Sequence, residues 1–130
     1  MNDVELVRDV IERYMEGTYR GDVELLRSCF DSSACMNGYL QGQLIQGTPE
    51  PFLTSIGSNP SFASMNVPYR GEIVAVDVSG DAAGVILKET GFPGIGGFTD
   101  YFHLLRLNGE WKIVSKTFVS EAASEGGLQP

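Results

Sequence analysis

The first thirty residues alternate apolar and polar positions with the period of a helix. The apolar positions are Val4, Val7, Val10, Ile11, Tyr14 and Met15, followed after a break by Val23, Leu26 and Phe30. Asn2 with Glu5 three residues later is the pattern of a capping box, which predicts that the first helix begins there. Gly17 and Gly21 favour a turn, and Asp22 is a suitable N-cap for a second helix. The pattern therefore predicts two amphipathic helices joined by a short turn.

The rest of the chain contains apolar runs separated by turn residues. Residues 34–40 predict a short strand, and Thr48 followed by Pro49 predicts the start of a short third helix. Four longer strands are predicted at residues 69–78, 82–90, 99–107 and 111–119. Asn108 and Gly109 both tolerate positive φ, so the last two strands should form a hairpin.

Helices that precede a run of hairpin-linked strands indicate an α+β fold, with the helices covering one face of an antiparallel sheet. No internal repeat and no linker divides the 130 residues, so we expect one domain over residues 1–120 and a loose tail over residues 121–130. A curved sheet with helices on its concave side encloses a cavity, which is where a small apolar ligand would bind.

The charge of the chain argues against two classes of partner. Nine basic and seventeen acidic residues give a net charge of -8, which repels phosphate backbones and anionic membranes. We therefore expect no nucleic-acid partner and no membrane partner. The N-terminal residues lack the basic and apolar regions of a secretory signal, and no apolar run approaches the roughly 20 residues of a membrane span. These features predict a cytoplasmic protein.

Neither the cysteines nor the glycine-rich loop indicates a metal or a cofactor. Cys29 and Cys35 with one distant histidine do not form a zinc site, and we expect both to be reduced, buried side chains. The segment GFPGIGG joins two predicted strands without the GxGxxG spacing or a following helix, so it should not bind a phosphate. Its expected role is a rim of the cavity, formed by Phe92, Ile95 and Phe98.

Two stretches carry a resemblance to a known family. YMEGTYRGDVELLRSCF at residues 14–30 and FTDYFHLLRLNGEWKIVSKTF at residues 98–118 resemble the nuclear transport factor 2-like superfamily, also called SnoaL-like or ketosteroid-isomerase-like. Within it they are most similar to the putative lumazine-binding proteins. The resemblance spans residues 4–119 and implies a cone-shaped, cystatin-like fold, a small-molecule ligand and a homodimer. That family usually has a His-Pro pair where this chain has Asp31 and Ser32.

A comparison with ketosteroid isomerases fails at the catalytic residues. The similar register places Tyr14 where those enzymes have a catalytic tyrosine, Gly38 where they have the aspartate base, and roughly Tyr101 where they have the protonated aspartate. Without a base at position 38, the chain should not catalyse their proton transfer.

Strand parity separates the side chains of residues 99–107 into two faces. By analogy with the isomerases, the face of Tyr101 and His103 and the face of Val114 and Lys116 should line the cavity. The predicted ligand-binding residues are Tyr14, Phe30, Tyr39, Phe52, Tyr101, His103, Leu105, Val114, Lys116 and Phe118.

Three charged or titratable residues admit more than one interpretation. His103, the single histidine, could act as a general acid–base with Tyr14, line the cavity without catalysis, or fill a strand. Asp100 could belong to a site or bond to the local backbone, and Lys116 could bind a ligand anion or form a salt bridge.

These observations lead to one leading hypothesis and two alternatives. The leading hypothesis is a small protein that binds an apolar or aromatic ligand between its sheet and helices, without a cofactor. The first alternative is a cofactor-independent isomerase, cyclase or hydratase that uses His103 and Tyr14. The second is a dimeric interaction module whose cavity is vestigial.

Overall fold

The computed structural model describes residues 1–122, which form three helices and one six-stranded sheet. The helices are α1 (Asp3–Arg20), α2 (Val23–Cys29) and α3 (Glu50–Ser58). The strands are β1 (Phe30–Leu40), β2 (Gln43–Gly47), β3 (Arg70–Ser79), β4 (Ala82–Phe92), β5 (Gly96–Leu107) and β6 (Glu110–Glu121). Glu121 belongs to β6 and not to the predicted tail, of which residues 123–130 lie outside the described residues.

Local hydrogen bonds fix the ends of the first two helices. The Asn2 side chain accepts from the Glu5 backbone N–H at 2.9 Å, and the Glu5 carboxylate accepts from the Asn2 N–H at 3.1 Å, which confirms the capping box. Gly21 ends α1 at a φ of 70°, a conformation that favours glycine. Asp22 then caps α2 by accepting from the Leu25 N–H at 3.1 Å.

The sheet has the order β2-β1-β6-β5-β4-β3. The β1 and β6 strands run parallel, and every other neighbouring pair is antiparallel, so the sheet is mixed. The predicted hairpin between β5 and β6 is confirmed, with Asn108 at a φ of 51° and Gly109 at 81°. The β1 strand is longer than predicted because it begins at Phe30, directly after α2.

One face of the sheet, which we call the inner face, packs against α1. The helix contributes Val7, Val10, Ile11 and Tyr14, and the inner face contributes Leu87, Phe102, Leu104 and Ile113. Gly17 lies inside α1, in contrast to the predicted turn. A Cβ at this position would lie 2.7 Å from Leu26 Cγ of α2, so the absence of a side chain allows the two helices to pack closely. The opposite, outer face of the sheet is exposed at Tyr101 and Leu105.

The two cysteines occupy different environments and are unpaired among residues 1–122. Cys29 is buried, with its thiol 3.5 Å from the Val10 carbonyl oxygen. Cys35 is exposed on β1, so the expectation that both cysteines are buried is wrong for Cys35. Within the described residues, no helix combines the length and the apolar character that crossing a bilayer requires.

Candidate functional site

A cavity of about 660 Å³ lies between the inner face of the sheet and α3. A volume of this size is typical of sites for small organic ligands. Most of its wall is apolar and comes from β1, β2, α3, β6 and the connection between β4 and β5. The apolar residues include Met36, Leu40, Phe52, Ile56, Phe92, Ile95, Phe98 and Phe118. The three side chains predicted at the rim therefore line the cavity: Phe92 at the end of β4, Ile95 in the connection, and Phe98 near the start of β5.

Four buried polar side chains meet beside this apolar wall, and we call them the polar cluster: Tyr14, Glu89, Asp100 and Lys116. Their exposed fractions are 1%, 2%, 0% and 5% in that order. Asp100 on β5 lies opposite Leu87 of β4 and opposite Phe118 of β6. Glu89 is two positions from Leu87 along β4, and Lys116 is two positions from Phe118 along β6. The three charged residues are thus diagonal neighbours on the inner face of adjacent strands. Tyr14, Glu89 and Lys116 line the cavity, and Asp100 lies next to them.

The Lys116 ammonium is held by one hydrogen bond, one carboxylate and several aromatic rings. Its Nζ donates to the Tyr14 hydroxyl at 2.6 Å and lies 3.9 Å from Asp100 Oδ2. The same Nζ is 4.5 Å from the Phe52 ring centroid and 5.4 Å from that of Phe118, distances that allow cation–π attraction. An ammonium carries three N–H groups. Two of them therefore have no hydrogen-bond acceptor among the described residues.

The Tyr14 phenol is a second hydrogen-bond donor at the cavity. Its oxygen accepts from Lys116, while its own O–H has no acceptor among residues 1–122. Burial raises the pKa of Tyr14 well above its usual 10.0, and the nearby Glu89 and Asp100 raise it further. The phenol therefore keeps its proton at neutral pH, and Tyr14 and Lys116 together offer donors to an acceptor atom in the cavity.

Asp100 and Glu89 form a buried carboxyl pair. Neither carboxylate oxygen of Asp100 has a hydrogen-bond partner among the described residues, which contradicts the alternative that it bonds to local backbone. Burial raises the pKa of Glu89 well above its usual 4.5; Asp100 raises it further, and Lys116 and a hydrogen bond from Tyr69 act in the opposite direction. A protonated Glu89 can donate to Asp100 and supply the donor that this carboxylate lacks. We infer that Glu89 carries a proton in this pair and that its O–H faces the unpartnered oxygens of Asp100.

The proton on Glu89 predicts a pH dependence of stability. The folded protein binds the Glu89 proton more tightly than the unfolded chain does, so the free energy of unfolding falls as the pH rises above about 4.5 and levels off above the folded-state pKa. The slope should approach about 1.4 kcal/mol per pH unit. Glu89→Gln, which imitates the protonated acid, should flatten the profile. Urea unfolding between pH 5 and 8, followed by the fluorescence of Trp111, measures both proteins.

Other resolved shifts leave this pH window undisturbed. The pKa of Asp31 is lowered from 3.8 by hydrogen bonds from Ser33, and that of Cys29 is raised from 9.0 by burial. Both groups therefore titrate outside the interval from pH 5 to 8. A wild-type profile that stays flat or rises over this interval, with Glu89→Gln behaving identically, would contradict a proton held by Glu89.

The structure places the ten predicted ligand-binding residues in three locations. Tyr14, Phe52, Lys116 and Phe118 line the cavity. Phe30 is buried against Tyr14, with ring centroids 6.2 Å apart, and belongs to the core and not to the cavity wall. The other five are directed away from the cavity: Tyr39, Tyr101, His103, Leu105 and Val114.

The side chains of β5 alternate between two faces as predicted, but the prediction of which face lies inside is wrong. Phe102 and Leu104 are buried under α1 at 1% exposure each, and Asp100 shares their face. Tyr101 is 47% exposed on the outer face, so Asp100 and not Tyr101 is the interior residue at this point. The apolar pair decides the orientation because burying two large side chains outweighs exposing one tyrosine.

His103 lies on the exposed outer face, where its Nδ1 is 3.2 Å from Ser115 Oγ. It pairs across the sheet with Gly84 on one side and Ser115 on the other. Tyr14 is on the inner face, so the sheet separates the two members of the predicted acid–base pair. A molecule in the cavity cannot contact His103.

A β-bulge changes the parity of β6. The register shifts where His103 and Leu104 of β5 face Ser115 and Ile113, which leaves Val114 as the extra residue of the bulge. Ile113 and Lys116 are consequently both buried on the inner face, although they are three residues apart. This bulge removes Val114 from the cavity wall and brings Lys116 to the polar cluster.

Sequence reasoning missed Glu89, which one signal could have revealed. Val85, Leu87 and Glu89 alternate along β4 with buried side chains, so the glutamate continues an apolar stripe. A carboxyl in phase with buried residues is seldom found without a partner. Asp100, in phase with Phe102, carries the same signal on the adjacent strand.

A family model described as putative lumazine-binding matches residues 2–119. The chain belongs to this family. Its fold is that of NTF2-like proteins: one of unknown function from Shewanella baltica OS155 is 26% identical, with a TM-score of 0.80 over 95% of this chain and 99% of that chain. The family and superfamily predicted from residues 14–30 and 98–118 are thus confirmed.

Two more distant structures agree on the fold alone. A domain of unknown function with a cystatin-like fold from Nostoc punctiforme PCC 73102 is 14% identical, with a TM-score of 0.68 over 93% of this chain and 78% of that chain. A ketosteroid isomerase-like protein from Erwinia carotovora atroseptica SCRI1043 is 16% identical, with a TM-score of 0.65 over 94% and 99%. The predicted α+β cone is confirmed. No curated protein matches the chain.

Proposed function

We propose that this member of the putative lumazine-binding family binds a small, largely apolar molecule in the cavity between its sheet and α3. One observation carries the proposal: an apolar cavity of about 660 Å³ is lined by Lys116 and Tyr14, whose remaining N–H and O–H donors have no acceptor among the described residues. The ligand's apolar body would contact the aromatic wall, and an acceptor atom would receive hydrogen bonds from these donors.

The energetics of such a site divide between the wall and the donors. Removing apolar surface from water contributes roughly 25 cal/mol per Å², so a two-ring ligand gains several kcal/mol from the wall alone. A donor buried without an acceptor destabilises the empty site, which makes an acceptor at the right position favourable and its absence costly. The wall therefore supplies affinity and the donors orient the ligand.

The comparisons support a small-molecule ligand. The description of the family includes lumazine binding, and its structural relatives include proteins of unknown function and an isomerase-like protein. The proposed ligand is therefore a small, largely apolar molecule with an acceptor atom, and direct binding measurements can define it further.

The test compares one plugged cavity with one matched substitution outside it. A panel of aromatic and carbonyl compounds should include ligands that raise the Tm of the wild type by roughly 10 °C at about 100 times Kd. Met36→Trp fills the cavity and should abolish this shift. Leu105→Trp places the same side chain on the outer face and should preserve it. The His103 imidazole resonances, which report on the outer face, should not move when ligand binds.

Two results would contradict the proposal. If no compound of the panel stabilises the wild type, the cavity does not bind this ligand class. If Met36→Trp retains the shift as fully as Leu105→Trp does, binding occurs elsewhere.

The structure bears differently on the two alternative functions predicted from the sequence. An isomerase, cyclase or hydratase that uses His103 with Tyr14 is not proposed, because the two residues lie on opposite faces of the sheet. The homodimer stays a prediction. Tyr101, Leu105 and Val119 on the outer face are 47%, 39% and 41% exposed, which leaves apolar surface for such a contact.

A further inference from the structure

The charges in the polar cluster bear on which ligands the cavity accepts. Lys116 alone would indicate a site for an anion. However, Asp100 is fully buried with its Oδ2 at 3.9 Å from Lys116 Nζ, and no other cation of the described residues forms an ion pair with it. The charge of Lys116 is therefore already balanced by a carboxylate of this chain.

A second carboxyl lies in the same cluster. Glu89 is 2% exposed, lines the cavity and accepts a hydrogen bond from the Tyr69 hydroxyl at 2.5 Å. The titratable groups that face this pair are Tyr14 from α1, Tyr69 from the segment before β3, and Lys116 from β6. Only one of them is a cation. Two ionised carboxylates would leave the buried cluster with a net negative charge and both oxygens of Asp100 without a donor.

We propose that the cavity selects a neutral ligand with a hydrogen-bond acceptor, such as a ketone, and discriminates against the corresponding carboxylate. The inference rests on the proposed function, because it assigns the charge of the ligand that binds there. With a proton on Glu89, the cluster holds the positive charge of Lys116 and the negative charge of Asp100, 3.9 Å apart. A carbonyl oxygen accepts from Lys116 and Tyr14 without changing that balance.

An anionic ligand would disturb the balance in either of two ways. It could bind unchanged and leave an uncompensated negative charge in a buried site, which is strongly unfavourable. Alternatively, it could bind together with a proton, which neutralises either the ligand or Asp100. Weak binding or proton uptake is therefore the signature expected of a carboxylate.

The experiment uses matched pairs with the same ring system: acetophenone with benzoate, and 2-acetylnaphthalene with 2-naphthoate. Titration calorimetry at pH 7 should show the wild type binding each ketone at least 30-fold more tightly than its carboxylate. Repeating the titrations in two buffers with different ionisation enthalpies measures how many protons the protein–ligand complex takes up on binding. About one proton should be taken up for each carboxylate bound and none for each ketone.

Two variants distinguish the role of Asp100 from that of Glu89. Asp100→Asn removes the charge that balances Lys116, so its carboxylate affinity should increase at least tenfold and reduce or invert the preference. Glu89→Gln keeps a neutral donor beside Asp100 and should retain the ketone preference. The proton count on the wild type remains decisive if Asp100→Asn does not fold.

Failure of this inference can be distinguished from failure of the proposed function. If none of the four compounds binds and the wider panel also gives no ligand, the proposed function falls, and this inference with it. If none of the four compounds binds but the wider panel contains ligands, the same comparison is made with a ketone from the panel and the carboxylate that has the same ring system. If the carboxylates bind as tightly as the ketones and without proton uptake, the proposed selection by charge is wrong, while the proposed binding function stands.

Discussion

Lys116→Met is expected to lower the free energy of unfolding by about 3–5 kcal/mol at neutral pH, the range seen when one partner of a buried ion pair is removed. Lys116 is 5% exposed and is the cation nearest to Asp100, which is 0% exposed. Methionine fills a similar volume but has no ammonium, so it loses the cation–π attraction to Phe52 and Phe118 together with the hydrogen bond to Tyr14. The loss therefore reports the charge and its contacts more than a cavity. Urea unfolding, followed by the fluorescence of the single Trp111, measures the change.

The same strand offers a matched control for this substitution. Lys112 donates to the Ser28 carbonyl oxygen at 2.8 Å and lies 3.5 Å from the Glu110 carboxylate, with a side chain 28% exposed. Lys112→Met should therefore cost about 1 kcal/mol or less. The deficit of Lys116→Met should also shrink as the pH is lowered, because a protonated carboxyl no longer needs a cation. Equal losses in the two variants, independent of pH, would show that Lys116 does not compensate a buried charge.

The elements of this fold follow from short-range chemistry, which explains why the sequence predicts them. The Asn2 and Glu5 side chains satisfy the first backbone N–H groups of α1 within one turn, and Asp22 does the same for α2. Asn108 and Gly109 adopt the positive φ values that a two-residue hairpin requires. Each signal acts over three residues or fewer, so it is visible without knowledge of the distant chain.

The candidate site depends on contacts that no local pattern contains. Asp100 and Lys116 are separated by fifteen other residues, and each alone resembles an ordinary surface charge in the sequence. Their proximity requires both the orientation of β5 and the bulge at Val114, which shifts the parity of β6 by one residue. Alternation alone predicts the wrong face for residues on one side of such a bulge. The inner residues of the site were therefore only partly predictable.

Resemblance to the superfamily was informative about the fold and misleading about one face. Analogy with the isomerases favours the face of Tyr101 and His103 as cavity lining, because it places Tyr101 roughly where those enzymes have the protonated aspartate. The burial of Phe102 and Leu104 under α1 decides the opposite. The lesson is physical: where two faces of a strand compete, the larger buried apolar area sets the orientation, and a polar residue in phase with it becomes the candidate for function.

Gly38→Ala is expected to destabilise the protein by about 3 kcal/mol, at the upper end of the range for overpacked interiors. A Cβ at this position would lie 2.1 Å from the backbone oxygen of Phe118 and 2.7 Å from its ring atoms Cγ and Cδ1. Because the backbone oxygen belongs to the neighbouring strand β6, it cannot move away by a side-chain rotation. The β1 and β6 strands would have to separate, which would also displace Phe118 from the cavity wall.

A second strand glycine gives the matched control. A Cβ on Gly84 of β4 would meet only His103 Cδ2 and the Phe102 oxygen, both at 3.9 Å, which is ordinary contact. Gly84→Ala should therefore change the free energy of unfolding by less than about 0.5 kcal/mol, or raise it slightly, because alanine restricts the unfolded chain.

Gly38→Asp would meet the same obstruction as Gly38→Ala, so an isomerase-like base cannot be introduced at position 38 in this backbone. A stable Gly38→Asp protein with an unchanged Tm would contradict the close packing of β1 against Phe118.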